Sequence, residues 1–264
     1  MLQFGNSENG ITRNKTNIGR GGRIALAAVV TVIAGSIAVR MQATPHHARQ
    51  AAEAVPIAFS LPAQPPKGAL LLFTGKADQF TDNWYQRYSM KPAAWTVDAK
   101  GIASPKDGDI TSKQEFGDCF VHAEFRTPVG ADGKKAGEGN SGVGLQGRYE
   151  VQIYDSYGDK PEEHGCGALY SQKPPIVNAS KKPGEWQTYD IIFRAPRFGA
   201  DNKLTENARA TVFQNGVIVQ NNEEFTGMTG IQYGEYKEMT KTGPIVLQGD
   251  HDPVQFRNVW VVPQ

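Results

Sequence analysis

From about Gly68 onward, short β-rich runs alternate with clusters of turn residues, and no run keeps a helical repeat over three turns. This pattern predicts many strands and few helices. The predicted strands are 69–73, 95–98, 109–112, 120–127, 141–154, 186–195, 208–214, 217–221, 244–248 and 254–262. Strands at such short spacing, without helices to connect parallel neighbours, favour an all-β fold of two packed antiparallel sheets, a jelly-roll sandwich.

A hairpin is predicted where Gln214-Asn215-Gly216 separates ATVF from VIVQ. Asn-Gly readily takes the positive φ values that a tight hairpin turn requires.

Alternation along two strands separates the predicted core from a predicted polar face, because successive strand residues point to opposite sides of a sheet. The positions expected to face inward are Val121, Ala123, Phe125, Val143, Leu145, Tyr149, Val151 and Ile153. The opposite positions are His122, Glu124, Arg126, Gln146, Arg148, Glu150, Gln152 and Tyr154. This second set is rich in hydrogen-bonding groups, which predicts a surface that binds a polar ligand.

The N-terminal part has a different pattern, with an uncharged apolar run at 24–39 that follows several basic residues. It predicts a targeting segment within residues 1–40, either a cleaved signal peptide or an uncleaved membrane anchor. A buried N-terminal helix of the domain is the alternative. Residues 41–66 are rich in Ala, Gln, Pro and His and are predicted to be a flexible linker before a domain at 67–264. We therefore expect an exported domain that is periplasmic, secreted or anchored by residues 24–39, with no other contact to the membrane.

Two cysteines, Cys119 and Cys166, leave two possibilities open. In an oxidising compartment they could form a disulfide. They could equally be two inert thiols in the core.

The net charge of the chain argues against one class of partner, nucleic acids. The formal net charge of the 264 residues is +1, so the chain lacks the excess of positive charge that a nucleic-acid partner requires. The sequence contains no G-x-S-x-G, G-x-x-x-x-G-K-[ST] or H-E-x-x-H motif, and no G-x-G-x-x-G after a strand. We therefore expect no cofactor and no resident metal ion.

Candidate chemistry is concentrated in the run GNSGVGLQGRYEVQIYDSYG at 139–158. Glu150 and Gln152 share one face, and Asp155 joins them if the strand bends before the loop. Two carboxylates placed in this way can divide acid and base roles or orient sugar hydroxyls. The alternative is that Glu150 forms a solvated ion pair with Arg148 or Arg126.

A second candidate is His251, which follows a predicted strand and stands between Asp250 and Asp252. Imidazole titrates near pH 6.5, and a neighbouring Asp can fix its tautomer and raise its basicity, which makes His251 a candidate general base. The alternative is an exposed loop histidine with no role, and a metal site at these three residues has weak support.

Aromatic residues in or beside the predicted loops suit a sugar ligand, because flat rings pack on the apolar face of a sugar ring. These residues are Trp84, Tyr85, Tyr88, Tyr154, Tyr157 and Tyr170. Trp95, Trp186 and Trp260 are predicted to fill the core.

Several segments in order resemble the 3-keto-disaccharide hydrolase domain family, whose fold is a concanavalin-like jelly roll. They are ALLLFTGKADQFTDNW, WTVDAKGIASPKDGDITSKQEFGDCFVHAEFRTP, GNSGVGLQGRYEVQIYDSYG, GALYSQKPP, PGEWQTYDIIFRAP, FQNGVIVQN and GPIVLQGDHDPVQFRNVWVVP. The chain departs from the family pattern at Asp252, where the family has Gly.

The resemblance implies cleavage of glycosides whose ring has been oxidised to a ketone at C3 by an oxidoreductase partner. A C3 carbonyl acidifies the C2 proton, so that a base removes it, the C1 leaving group departs, and water then adds. By position we assign His251 as the base and Glu150 or Asp155 as the acid. Arg126 and Gln146 are assigned to the enolate and the hydroxyl groups. The other expected substrate-binding residues are Glu124, Arg148, Gln152, Tyr154, Tyr170, Gln248 and Asp250.

Three alternatives remain. Glucanases of similar fold carry an E-x-D-x-x-E strand motif, but Gln152 replaces its middle carboxylate here, which argues against retaining glucanase chemistry. A carbohydrate-binding module without turnover is the competing hypothesis from another class. An assembly role at the cell surface is compatible with an anchor, although no sequence feature supports it.

Overall fold

Two antiparallel sheets packed face to face dominate the protein, as seen in a computed structural model that describes residues 63–229 and 238–264. The described residues belong to one compact unit, Pro56–Gln264. The predicted targeting segment and the predicted linker as far as residue 62 lie outside the described residues. None of the helices within the described ranges is long and apolar enough to cross a membrane.

The elements follow one another along the chain with one short helix among the described residues. They are β1 (Leu70–Phe73), α1 (Asp78–Asn83), β2 (Trp84–Gln86), β3 (Thr96–Val97), β4 (Ala103–Ser104), β5 (Ile110–Phe116), β6 (Cys119–Arg126), β7 (Ser141–Leu145), β8 (Tyr149–Ile153), β9 (Gln187–Arg194), β10 (Arg197–Phe198), β11 (Leu204–Glu206), β12 (Arg209–Gln214), β13 (Val217–Glu224), β14 (Gly243–Leu247) and β15 (Gln255–Pro263).

The larger sheet has eight strands in the order β13-β12-β9-β6-β15-β4-β3, and β1 also pairs with β15. The smaller sheet has five strands in the order β2-β5-β14-β7-β8, and β10 with β11 forms a separate pair. All the pairings between these strands are antiparallel. The prediction of an all-β antiparallel sandwich is therefore confirmed for the described part of the chain.

The core lies between the two sheets and contains every position that alternation placed inside. Tyr149 of the five-stranded sheet and Phe193 of the eight-stranded sheet meet across it, with ring centroids 5.7 Å apart. Burial of these apolar faces is the main driving force that holds the sheets together.

One predicted strand, 141–154, is in fact a hairpin of β7 and β8. Gln146 and Gly147 have φ values of 53° and 63°, and the Arg148 N–H donates to the Leu145 carbonyl oxygen at 3.0 Å. Leu145 pairs with Tyr149, so three residues separate the partners and the odd-numbered positions stay on the core side of both strands. The inward set was therefore predicted correctly although the turn was missed.

The second predicted hairpin is confirmed. Asn215 and Gly216 have φ values of 53° and 79°, and Gln214 pairs with Val217 where β12 turns into β13.

The two cysteines are buried free thiols, which corresponds to the second of the two possibilities. Burial raises the pKa of Cys119 to about 12. The pKa of Cys166 is also raised by burial, and its Sγ lies 3.1 Å from the Tyr189 hydroxyl.

Candidate active site

The outward face of the five-stranded sheet carries a row of directly paired residues. Glu150 lies opposite Gly144, Gly144 opposite Val246, and Val246 opposite Thr111. Residues that are directly opposite in an antiparallel pair place their side chains on the same face. Ile245 and Leu247 belong to the core, so Val246 and the other members of its row point away from it.

A neighbouring row adds two amides to this face. Gln152 lies opposite Gly142, and the Gln248 N–H donates to the Gly142 carbonyl oxygen at 3.1 Å. A Cβ built on Gly142 would lie 2.9 Å from Cδ of Glu150, so the glycine provides the space that the Glu150 carboxylate occupies. We call the surface formed by Gly142, Gly144, Glu150, Gln152 and Gln248 the glycine face.

The glycine face contains buried hydrogen-bond acceptors that have no partner among the described residues. They include Oε1 of Gln152 and Oε1 of Gln248. The hydroxyl oxygen of Thr111, on the same face, is also buried and has no hydrogen-bond partner among the described residues. Buried polar atoms are normally hydrogen-bonded, so each of these acceptors requires an explanation. Hydroxyl groups of a bound sugar would supply the missing donors.

Several loops meet at one end of this sheet. β7 begins and β8 ends there, with Ser141 paired to Ile153, and β14 also ends there. The Asp155 N–H donates to the Glu138 carbonyl oxygen at 2.8 Å. The Asp252 carboxylate accepts the N–H groups of Glu138 and Asn140 at 3.0 and 2.9 Å. We call this end of the sheet the site end.

Asp155 lies at the site end as a carboxylate that is 5% exposed. Burial raises its pKa, and the positive charge of Lys135 only partly offsets this effect. Its Oδ2 has no hydrogen-bond partner among the described residues. A buried carboxyl group that holds its proton more readily than usual is suited to act as a general acid.

His251 and Asp250 are more exposed and lie in the loop that follows β14. Nε2 of His251 is 3.5 Å from Oδ1 of Asp250, and both side chains are close to half exposed. Asp252 does not join them, because its carboxylate is occupied by the two backbone N–H groups that tie this loop to residues 138–140.

Tyr154 and Tyr170 lie beside the β8 edge of the glycine face. The Tyr170 N–H donates to the Glu150 carbonyl oxygen at 3.2 Å, and its ring contacts that of His164 edge-on. Nζ of Lys135 lies 5.0 Å from the centre of the Tyr154 ring. Burial and the neighbouring Glu138 raise the pKa of Tyr154.

Gln146 and Arg148 do not contribute to the site end, contrary to the expectation from alternation. Gln146 is a turn residue whose Nε2 donates to the carbonyl oxygens of Phe116 and Lys241 at 3.2 and 3.0 Å. Nη1 of Arg148 donates to the Gln146 carbonyl oxygen at 2.7 Å. Both residues stabilise the hairpin turn at the opposite end of the sheet, because the chain turns where a continuous strand was predicted.

Glu124 and Arg126 lie on the other sheet. Nε of Arg126 donates to Oε1 of Gln255 at 2.6 Å, and the guanidinium lies 4.9 Å from the centre of the Trp186 ring. Alternation shows which residues of β6 leave the core, but it does not show which sheet the strand joins. The outward face of the eight-stranded sheet is on the far side of the core from the glycine face, so the structure does not bring Arg126 together with Gln146 as the assignment to one enolate expected.

The tryptophans also differ in part from their expected positions. Trp84 is fully buried in the core and donates from Nε1 to the Leu72 carbonyl oxygen at 3.0 Å, so it is not a loop aromatic. Trp95 is in the core, as predicted. Trp260 instead lies on the outward face of the eight-stranded sheet, where it stacks on His122 with ring centroids 4.8 Å apart.

Two charged residues that lie near the site were not among the residues predicted from the sequence. Nζ of Lys135 donates to the Asp155 carbonyl oxygen at 3.0 Å. Asp109 is buried beside the His251 loop and accepts the Gly249 N–H at 2.9 Å. Asp109 could have been identified in the sequence as a carboxylate directly before the apolar residue that begins β5. Lys135 could not, because it belongs to a polar loop that has no distinguishing pattern.

The described residues contain no group of three or more His, Cys, Asp or Glu side chains arranged to hold a metal ion.

Comparison with known proteins places this geometry in context. Residues 68–262 match the family model of the 3-keto-alpha-glucoside-1,2-lyase-like domain. A crystal structure of a candidate glycosyl hydrolase from Parabacteroides distasonis is 35% identical, with a TM-score of 0.64, over 75% of this chain and 85% of that chain. A second candidate glycosyl hydrolase from the same organism is 18% identical, with a TM-score of 0.54 over 75% of this chain and 94% of that one, and this likeness shows the fold alone. No curated protein matches the chain.

Proposed function

Because the chain belongs to the family of 3-keto-alpha-glucoside-1,2-lyase-like domains, we propose that it cleaves glycosides whose ring carries a ketone at C3. The observation that carries the proposal is the glycine face, where buried acceptors that have no partner within residues 63–229 and 238–264 lie beside the Glu150 carboxylate. The 35% identity to a candidate glycosyl hydrolase supports the broader assignment to carbohydrate processing.

The reaction requires one base, one acid and one group that stabilises negative charge. The C3 ketone acidifies the C2 proton; a base takes this proton, and the C2–H electron pair forms an enolate whose charge is on the C3 oxygen. The ketone then re-forms, a C1–C2 double bond appears, and the C1–O bond breaks while the leaving oxygen accepts a proton. Addition of water across the C1–C2 double bond, with the hydroxyl group going to C1 and the proton to C2, completes a net hydrolysis.

We assign the base to His251, which Asp250 accompanies at 3.5 Å. Asp155 is assigned as the acid because burial raises its pKa and leaves Oδ2 without a partner among the described residues. Glu150 is the second carboxylate of the site, and we assign it to sugar hydroxyls on the glycine face. Lys135 replaces Arg126 as the cation for the enolate, since its Nζ is held beside Asp155.

The decisive experiment offers the purified protein a 3-keto-disaccharide and the same disaccharide without the ketone, and measures released hexose. We expect release from the ketone alone. Asp155→Asn and His251→Ala should each lower kcat by about 100-fold or more, the usual effect of losing a general acid or base. Asp201→Asn is the matched control, because Asp201 is a surface carboxylate paired with Lys203.

Two results would contradict the proposal. Binding of the 3-keto-disaccharide in calorimetry without any release of hexose would favour a carbohydrate-binding module. Equal cleavage of both disaccharides would indicate an ordinary glycosidase, in which the ketone plays no part.

The proposed substrate implies a partner activity, because an oxidoreductase must first convert the C3 hydroxyl of the glycoside to a ketone. We also propose that residues 24–39 export the domain, so that both steps take place outside the cytoplasm. Fractionation of cells that carry the full chain or a variant lacking residues 1–40 tests the export step. Recovery of the full chain in the cytoplasm would contradict it.

A further inference from the structure

Asp109 is a fully buried carboxylate at the site end that the proposed reaction scheme does not use. It directly precedes β5, and its side chain pairs with Nη1 of Arg87 at 2.9 Å, with both side chains 2% exposed. The Arg87 N–H also donates to the Asp109 carbonyl oxygen at 2.9 Å. A buried ion pair fixed by backbone contacts in this way is a rigid anchor.

The same carboxylate holds the start of the His251 loop. Oδ1 of Asp109 accepts the Gly249 N–H at 2.9 Å. A side chain at Gly249 would not fit, since a Cβ there would lie 2.6 Å from the Trp95 ring and 2.7 Å from the Gly108 carbonyl oxygen. The backbone immediately before Asp250 and His251 is therefore clamped between the Asp109 carboxylate and the Trp95 ring.

Asp109 also interacts with the side chain that follows Gly249. Burial raises the pKa of Asp109 and the negative charge of Asp250 raises it further, while the Gly249 N–H and the Arg87 guanidinium act in the opposite direction. Asp250 in turn lies 3.5 Å from the His251 ring. The ion pair and the hydrogen bond therefore join Arg87 to Asp109 and Asp109 to the Gly249 backbone, and Asp250 and His251 follow directly along the chain.

We propose that Asp109 is a positioning residue, which holds the Asp250–His251 loop at the site end and whose negative charge beside this loop favours the protonated imidazole. The catalytic consequence rests on the proposed function, because it is there that His251 is the base. The effect of the Asp109 charge on the titration midpoint of His251 can be measured whether or not the protein has activity.

Other charged or titratable groups face the same loop and must stay unchanged in a test. The 135–140 segment contributes Lys135 and Glu138, and the end of β8 contributes Tyr154, whose hydroxyl interacts with Glu138. On the loop itself, Asp252 is tied to backbone N–H groups.

The test follows the His251 ring signals by NMR as the pH is varied, in the wild-type protein and in Asp109→Asn. Removal of a negative charge should destabilise the imidazolium and lower the titration midpoint by about half a unit. Asp190→Asn is the matched control, since Asp190 is a buried carboxylate paired with His122 on the other sheet.

Activity provides a second, separable reading. In Asp109→Asn, kcat should fall by about tenfold while KM stays within about twofold, and the acid limb of kcat/KM should move to lower pH together with the NMR midpoint. A midpoint within 0.1 unit of wild type, with a loss of rate that only follows a loss of folded protein, would overturn the proposal, as about 0.5 unit is expected. A wild-type protein with no cleavage activity would contradict the proposed function and leave the NMR result valid.

Asp109→Asn could fail to fold, so a measurement on the wild-type protein completes the test. The Gly249 amide hydrogen should exchange slowly with solvent, because it is held in a hydrogen bond to the buried Asp109 carboxylate. Exchange of this amide as fast as that of an exposed loop amide would overturn the proposal.

Discussion

Glu124 on the outward face of the eight-stranded sheet and Asp155 at the site end are both buried carboxylates, yet their pKa shifts have opposite signs. Burial raises the pKa of each one. For Glu124, the His122 ring at 3.6 Å and hydrogen bonds from Asn258, Arg257 and the Ala63 N–H together outweigh burial and lower the pKa to about 2. For Asp155, Lys135 and one backbone N–H do not outweigh it, and the pKa is raised. The supply of donors, and not the depth of burial, separates the two carboxylates.

The groups around Glu124 also differ from those of the glycine face in their supply of hydrogen-bond donors. Glu124 accepts Nε of Arg257 at 2.7 Å and Nδ2 of Asn258 at 2.8 Å, so that its charge is compensated within the protein. On the glycine face, the amide oxygens of Gln152 and Gln248 have no donor among the described residues. A carboxylate with its own donors stabilises a fold, whereas acceptors without donors leave bonds for a ligand to form.

Among the substitutions that test this contrast, Gly142→Ala should have the largest effect, and the effect should be on activity. The new Cβ would overlap the Glu150 carboxylate, which must move away from the glycine face, while the backbone at Gly142 has no positive φ that excludes alanine. We expect a loss of at least about 100-fold in kcat/KM, because the displaced Glu150 carboxylate no longer positions the sugar hydroxyls for reaction. Hexose release measures the loss, and circular dichroism should show a folded protein.

Gly117→Ala is the control, because a Cβ at Gly117 would come no closer than 3.4 Å to its neighbours. Wild-type activity in Gly142→Ala would mean that the Glu150 position is not used by the substrate.

Glu124→Gln should show the opposite outcome, with a loss of stability and an unchanged reaction. Removal of the charge leaves Arg257 without its ion-pair partner and should lower the free energy of unfolding by about 2 kcal/mol. Urea unfolding measures this change. Glu206→Gln, which breaks an exposed pair with Arg194, should cost less than about 0.5 kcal/mol. A fall in kcat/KM for fully folded Glu124→Gln would show that the two faces are not separate in function.

The sandwich could be predicted from local pattern because alternation and turn residues act over a few neighbours. Val121 and Tyr149 are core residues as predicted, and Asn215-Gly216 forms the predicted hairpin. The turn at Gln146 was missed because the polar positions before and after it keep the same parity, so nothing in the pattern marks the change of direction.

The site was predictable only in part, because its assembly depends on strand order. Glu150 and Gln152 share a face with Gln248 because β8, β7 and β14 are neighbours in one sheet. Glu124 has the same alternation but belongs to β6, which pairs with β9 and β15 in the other sheet. Which strands become neighbours is set by contacts between distant segments, and alternation within one strand carries no record of them.

The pH dependence of stability sharpens the comparison further. The lowered pKa of Glu124 means that its ionised form stabilises the fold at pH values above the ordinary value of 4.5, and that this stabilisation is lost as the pH falls towards about 2. The difference in unfolding free energy between the wild-type protein and Glu124→Gln should therefore be constant near neutral pH and should shrink between these two values. A difference that stays constant down to pH 2 would show that packing, and not charge, is responsible.

Asp155→Asn should have the smallest effect on stability, with the opposite sign. Because the pKa of Asp155 is raised, its ionised form destabilises the fold at pH values above the folded-state pKa, and this cost disappears below the ordinary value of 3.8. Asparagine removes the charge and can still accept the backbone N–H, so the free energy of unfolding at pH 7 should rise by less than about 1 kcal/mol. Urea unfolding at pH 7 and at pH 3 measures the gain, which should vanish at the lower pH, and Asp201→Asn should show no gain at either. A variant that is less stable than wild type at pH 7 would show that the Asp155 carboxylate stabilises the fold, as the Glu124 carboxylate does. This result would contradict the proposed difference between the two carboxylates.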